Sequence, residues 1–345
     1  MKTSKFFASV AIMLGVSTSL QAQELHITAW GGSTQAGQKK VYYEPFAAKT
    51  GTKIIEDSWS GGLGILRTKV KGGNADWDLV QVEADELVLG CDEGLFEELD
   101  WSKIGNRSDF MEGAATDCGA GAVVWSTGLA YDGNRLKEGP KSWADFWDLK
   151  KFPGKRAMRK GPKYTLEFAL LADGVAPSDV YKVLSTPEGV DRAFRKLDAI
   201  KNDIVWWTAG AQGPQLIAAG DVSMGAIYLS RAISANRAEG KNFKVVWPGS
   251  VYAIDYFVIL KGSKNKDKAT EFLAFATSEN IQKDYPALGN QGITNLKANA
   301  LIEPSILENL PTNPANQEQA LALDAEFWVE NIERLTQRFN AWASQ

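Results

Sequence analysis

The sequence predicts an α/β fold of two lobes, each a mainly parallel sheet flanked by helices, joined by strands that cross between them. Three observations predict it. Residues 25–82 alternate strand, helix, strand, helix, strand with short connections, the pattern of a parallel sheet covered by helices. Two runs, 120–131 and 251–260, are apolar, β-rich and long enough to pass from one lobe to the other. The 345 residues also suffice for two cores after the first segment is removed.

That first segment, residues 1–22, has a basic start (Lys2, Lys5), an apolar stretch at 6–16 and a small residue, Ala22, at its end. It reads as a secretory signal peptide cut after Ala22, too short to span a bilayer. No cysteine follows the apolar stretch, so a lipoprotein anchor is not expected. Cleavage of 22 of the 345 residues leaves 323 and takes away two lysines and no acid, moving the formal charge from −4 to −6. An acidic chain without a basic block does not suit nucleic acid or an anionic membrane. No later apolar run is long enough for a membrane span, so an exported, soluble, periplasmic chain is expected.

Cys91 and Cys118 are the only cysteines. In an exported chain such a pair is expected to form a disulfide, contributing roughly 3–4 kcal/mol in the chain-entropy model. With a single histidine, His26, the ligand set is too poor for zinc. Neither a metal nor a cofactor is expected.

Along the chain, 25–30 (LHITAW) alternates as a first strand and runs into a loop at Gly31-Gly32-Ser33. A helix over 41–49, a strand over 53–57, a helix over 61–71 and a strand over 76–82 follow. Ligands of open parallel sheets bind beyond the carboxyl ends of the strands, which brings Trp30, Ser33, Ser60, Glu83 and Asp85 to one rim. The glycine-rich 60–64 lacks the Gly-Lys-Ser/Thr of a phosphate loop and serves to open a helix.

After the crossing at 120–131 come a Ser-capped helix at 142–148, a strand beginning at 154–158, and helices at 165–173 and 187–199. A strand at 204–207, a helix at 212–219 closed by Gly220, a strand at 222–229 and a further one at 245–247 lead to the second crossing. Helices at 267–277, 278–285, 315–327 and 330–342 finish the chain. The division expected from this is 23–126 plus 256–345 for lobe 1 and 127–255 for lobe 2, with hinges near 126–131 and 251–259.

Two charges stand out against this background. Asp255 is flanked by Ile254, Tyr256, Phe257 and Val258, where a carboxylate must leave water and is costly unless something pairs with it. Arg231 follows the strand at 222–229. They form a structural ion pair with each other, or Asp255 caps a local turn, or the two are the receptors of a small zwitterion.

The motifs AW at 29–30, WDLV at 77–80, WSTGLAYD at 125–132, SWADFWDL at 142–149, AAGDVSMGAIY at 218–228 and AIDYFVI at 253–259 occur in one order. With that order and spacing the chain resembles, over nearly its whole length, the polyamine-type periplasmic solute-binding proteins of ABC transporters. It is most similar to the branch that binds 4-aminobutyrate and related ω-amino acids. The resemblance implies the two-lobed, type II-like periplasmic binding protein fold, with ligand trapped as the lobes close. It also implies a membrane permease as partner, with a chemoreceptor as a second candidate and a monomeric state.

Carried over by position, Trp30 and Tyr228 match aromatic box residues and Asp255 matches the aspartate that anchors an amine. The departures favour a zwitterion: Tyr164 stands where polyamine binders have a Glu, Ala253 where they have a Trp, and Arg231 where at least one branch has an Asp. Next to Arg231 a second ammonium is repelled, whereas a carboxylate can be held bidentately. Trp207 as cleft wall, the backbone amides of Ala211 and Gln212 as carboxylate donors, Glu83 or Asp85 as amine helpers, and Gln291 as a polar loop contact complete the expected set.

The expected function is thus capture of 4-aminobutyrate, or 5-aminovalerate, for an ABC importer. The alternative is a putrescine/spermidine-binding transport protein. An enzyme is not expected: there is no G-x-S-x-G elbow or metal motif, and His26 lies within a strand. A secreted carboxylate-dependent hydrolase using Glu83 and Asp85 is the remote rival, and a purely structural exported protein the third class.

Overall fold

The computed structural model describes residues 23–72 and 76–345. The expected signal peptide, 1–22, lies outside the described residues.

The first strand, β1 (Glu24–Ala29), buries Leu25, Ile27 and Ala29 completely. It lies between β2 (Lys53–Ser58) and β3 (Leu79–Val82), parallel to both. The helical segment after β1 starts earlier than the expected 41–49. It runs as an α-helix over Gly32–Gln38, a π-helical turn over Lys39–Tyr43 and an α-helix over Glu44–Thr50. Gly31, at φ 68°, makes the abrupt entry, a conformation that glycine adopts without steric cost. A helix over Ala84–Asp92 was not expected; Glu83 and Glu86 cap it reciprocally, each side chain accepting from the other residue's backbone N–H.

Two long strands form the middle of the sheet. β4 (Ala120–Asp132) pairs antiparallel with β8 (Phe243–Ile259), whose far end pairs with β3. Beyond β4 lie β7 (Met224–Tyr228), β5 (Arg156–Arg159) and β6 (Ile204–Trp207), the last three mutually parallel. The order is β2-β1-β3-β8-β4-β7-β5-β6, with β9 (Leu321–Ala322) added beside Val251–Tyr252 of β8. Parallel sets thus flank an antiparallel centre made by the two crossing strands. The register of β4 against β8 shifts between Gly121 and Val123 and again between Thr127 and Leu129.

Buried apolar residues separate into two large clusters. One draws on 25–124 and 254–310, the other on 125–253 and 321–342, with a smaller cluster around Ala157, Trp207 and Ile227. The division falls between Val124 and Trp125 on β4 and between Ala253 and Ile254 on β8. The expected lobe 1 took in all of 256–345, but the last helix, Ala325–Ala343, packs Phe327, Trp328, Leu335, Phe339 and Trp342 with the second cluster. The chain therefore crosses a third time, between Leu310 of the first cluster and Leu321 of the second.

Two further expectations fail locally. The expected helix 315–327 is a short turn, Pro314–Gln317, followed by β9, because the backbone there pairs with β8; Asp324 then caps the long helix by accepting from Phe327 N. Residues 229–239, given no helix in the sequence reading, form one, closed by Gly240 in the left-handed conformation. Among the described residues no helix is long and apolar enough to cross a membrane, and no acid, histidine and cysteine cluster is placed to hold a metal. Cys91 and Cys118 come together, with Cα atoms 6.2 Å apart, within the range a disulfide takes.

Candidate ligand-binding site

Asp255 sits on β8 where the two clusters meet. It is 4% exposed, and three side-chain N–H groups converge on it. Trp125 Nε1 donates to Oδ1 at 2.8 Å; Trp30 Nε1 and Gln81 Nε2 donate to Oδ2 at 2.8 and 3.1 Å. Register explains Trp125: Val123 is opposite Asp255 and Trp125 opposite Ala253, so Trp125 lies one diagonal step along the same face. Gln81 is fixed in turn by Gln38 Nε2, at 2.8 Å, and Gln38 accepts from the Tyr43 hydroxyl at 3.1 Å.

The carboxylate therefore has no cationic partner among the described residues, and an ion pair with Arg231 is not formed. Burial raises its pKa well above the ordinary aspartate value, the Glu83 charge adds to the rise, and the three N–H donors oppose it. A carboxylate has about four lone-pair positions, so three donors leave room for one more.

The aromatic surroundings come from both clusters. Trp30 stacks on Trp59, with centroids 5.4 Å apart. Trp125 meets Tyr164 and Tyr228 edge-on at 5.7 and 5.5 Å. Trp30, Trp125, Tyr228, Arg231, Asp255 and Gln291 line one cavity of about 450 Å³. Arg231 is the third residue of the helix Leu229–Glu239 rather than a strand-end residue. It is exposed and forms no ion pair or hydrogen bond among the described residues. Its Nε lies so close to Gly210 that a Cβ there would approach it, and the Tyr228 ring, to 2.9 Å.

The other expected residues divide. Glu83 and Ala211 line the same cavity, and Gln291 is held by the Tyr285 hydroxyl at 2.7 Å. Trp207 is cleft support rather than wall: it is 2% exposed, donates to Ala226 O and packs behind Tyr228. Gln212 does not serve as a ligand donor, because its N–H is taken by Ala209 O and its side chain accepts from Thr208 N and Ala209 N. Tyr164 is buried behind Trp125 with a left-handed backbone (φ 72°), and Asp85 lies outside the cavity lining, next to Lys163. Ser33 lies in the first turn of Gly32–Gln38; its side chain is outside the described atoms.

Sequence reading missed Trp125, Gln81 and Arg159. Trp125 opens the WSTGLAYD motif but was read only as part of a crossing. Arg159 ends β5, half-buried, with its guanidinium 5.4 Å from the centre of the Tyr164 ring. Burial pulls its pKa down, but Tyr228, Tyr164 and Glu83 outweigh burial and hold it above the usual arginine value.

The sequence profile of the bacterial extracellular solute-binding proteins matches residues 42–315. The chain belongs to that family. This solute-binding protein is 47% identical to the gamma-aminobutyric acid-binding protein of Pseudomonas aeruginosa over 334 residues, covering 97% of this chain and 95% of that one. It is 21% identical to the spermidine/putrescine-binding periplasmic protein of Escherichia coli, over 79% of this chain and 78% of that one. Among solved structures, a GABA receptor superposes with a TM-score of 0.82 at 34% identity, covering 93% of this chain and 98% of that one. The α/β fold of two regions around crossing strands is thus the fold of periplasmic binding proteins.

Proposed function

We propose that this solute-binding protein is the periplasmic component of an ABC importer and captures a small ω-amino acid, 4-aminobutyrate (GABA) first and 5-aminovalerate next. The observation that carries the reading is one cavity lined by a buried carboxylate and a guanidinium, Asp255 and Arg231, neither with a counter-ion among the described residues. An ammonium at Asp255 supplies the missing countercharge to a group already held by three donors. A carboxylate at Arg231 meets a planar donor fork. The relative and the solved receptor named for GABA support the same choice.

The lobes in this reading divide at the boundaries between the two apolar clusters, and closure swings them about 126–131 and 251–259, where the β4–β8 register shifts after Thr127. The protein binds and releases its ligand unchanged, delivers it as a monomer to a membrane permease, and is the kind of molecule a chemoreceptor can also read. Export by the segment 1–22 and a Cys91–Cys118 disulfide belong to the same picture.

Calorimetry tests it. GABA should bind and be recovered unchanged, and putrescine, similar in length but cationic at both ends, should give no heat. Tighter binding of putrescine than of GABA would sink the assignment of Arg231.

A further inference from the structure

Glu83 and Asp85, at the start of the helix Ala84–Asp92, already have a cation between them. Lys163, just ahead of the helix Thr165–Ala172, places Nζ 3.3 Å from Asp85 Oδ2 and 3.6 Å from Glu83 Oε2. Its side chain is 12% exposed against 36% and 33% for the two acids, so the ammonium is the more enclosed member. The pairing also joins the two packed regions. Leu87, on the acids' helix, belongs to the first cluster, and Tyr164 and Leu166 beside Lys163 belong to the second.

Glu83 lines the ligand cavity, and its charge is felt at Asp255. Without Lys163 the cavity would offer two carboxylates, Asp255 and Glu83, close enough that the charge of one is felt at the other, and so a stronger attraction for a doubly cationic molecule. Asp85 reinforces the point: among the described residues its Oδ1 is buried without a hydrogen-bond partner, and its other oxygen has Lys163 as its cation.

We propose that Lys163 is a resident ammonium that fills the Glu83–Asp85 site across the cleft and so excludes diamines from the cavity. This deepens the ω-amino acid reading and rests on it: Asp255 is left for one amine, and Arg231 takes the carboxylate. A diamine would have to detach Lys163 from both acids and then lie beside the displaced ammonium. Repulsion by Arg231 alone acts at one end of the cavity; Lys163 removes the remaining anionic attraction. Discrimination then comes from a built-in penalty against the wrong ligand as well as from contacts to the right one.

The test titrates the mature chain with GABA and with putrescine by calorimetry. It compares wild type, Lys163→Gln, Lys163→Met and the double variant Lys163→Gln/Glu83→Gln. Both neutral variants should bind putrescine at least tenfold more tightly than the limit set by wild type, with GABA affinity changed less than tenfold. The double variant should lose the gained putrescine binding. Neutral variants that bind GABA normally and still exclude putrescine overturn the proposal. So does a gain that persists in the double variant, or a loss of GABA binding beyond tenfold in both neutral variants, which would make Lys163 part of the ligand site or the fold. Wild type preferring putrescine over GABA is a separate result and would strike the underlying reading instead.

Discussion

The two ends of the cavity are built differently. Around Asp255 everything is fixed in advance: a buried strand residue, two indoles and a glutamine, with a second glutamine and a tyrosine hydroxyl behind them. At Arg231 almost nothing is fixed, since the guanidinium is exposed on the first turn of a helix and unpaired among the described residues. A pre-set carboxylate costs little to reorganise when an ammonium arrives, whereas a free guanidinium must be ordered by the ligand. In the proposed reading the amine end would therefore set strength, and the carboxylate end, on the second region, would register that the right ligand is present.

The largest expected effect is at the fixed end. Removing one member of a buried charge pair costs about 2–5 kcal/mol, so Asp255→Ala should weaken GABA binding by roughly thirty-fold to several thousand-fold in calorimetry. Arg231→Ala comes next. A charge-assisted hydrogen bond contributes about 1.5–3 kcal/mol, which predicts a loss of about ten- to 150-fold. If Arg231→Ala proved the more damaging of the two, the contrast between the ends would be reversed.

A smaller effect is expected for Trp125→Phe, which keeps an aromatic ring, smaller than the indole, and deletes one donor to Asp255. GABA affinity should fall by about tenfold, and the acid-side loss of binding should begin at a higher pH than in wild type. Asp255 also predicts the sign of the pH dependence. Its pKa in the empty protein is raised by burial and by Glu83, whereas an ammonium favours the charged form. Affinity should be flat above that raised pKa and fall as pH drops through it, approaching tenfold per pH unit.

For the empty protein the sign is opposite. A raised carboxyl pKa contributes stability below the ordinary aspartate range that is lost as pH rises through the folded value. The gain in melting temperature on adding GABA should therefore be larger at neutral than at acid pH, and a gain independent of pH would remove the buried-carboxylate account.

The sequence shows some of this directly. An acid inside an apolar β-run is visible without a structure, which is why Asp255 could be singled out, and the alternation of elements marks β1 to β3. Trp125 could not be found the same way, because it meets Asp255 130 residues away only through the register of β4 on β8. Lys163 is hidden for the same reason: its partners lie on a helix of the other region, 78 residues distant for Asp85. The helix Leu229–Glu239 was missed because its polar, charged stretch follows a strand without Gly or Pro between them. Gly240 was the one signal of its end. At 321–322 a helical pattern lost to a strand because β8 offered the backbone partners.

The third crossing has a mechanical consequence. The described chain begins at β1, in the first apolar cluster, whereas the last helix, Ala325–Ala343, packs its apolar face with the second cluster and also lies against the helix Ala84–Asp92 of the first region. In the proposed reading that helix ties the two regions together, so closure would have to carry it along. Under the proposed closure, a donor dye near Glu24 and an acceptor near Gln345, one beside each apolar cluster, should change their separation when ligand binds. Ligand uptake could then be followed as energy transfer, without placing a label in either core.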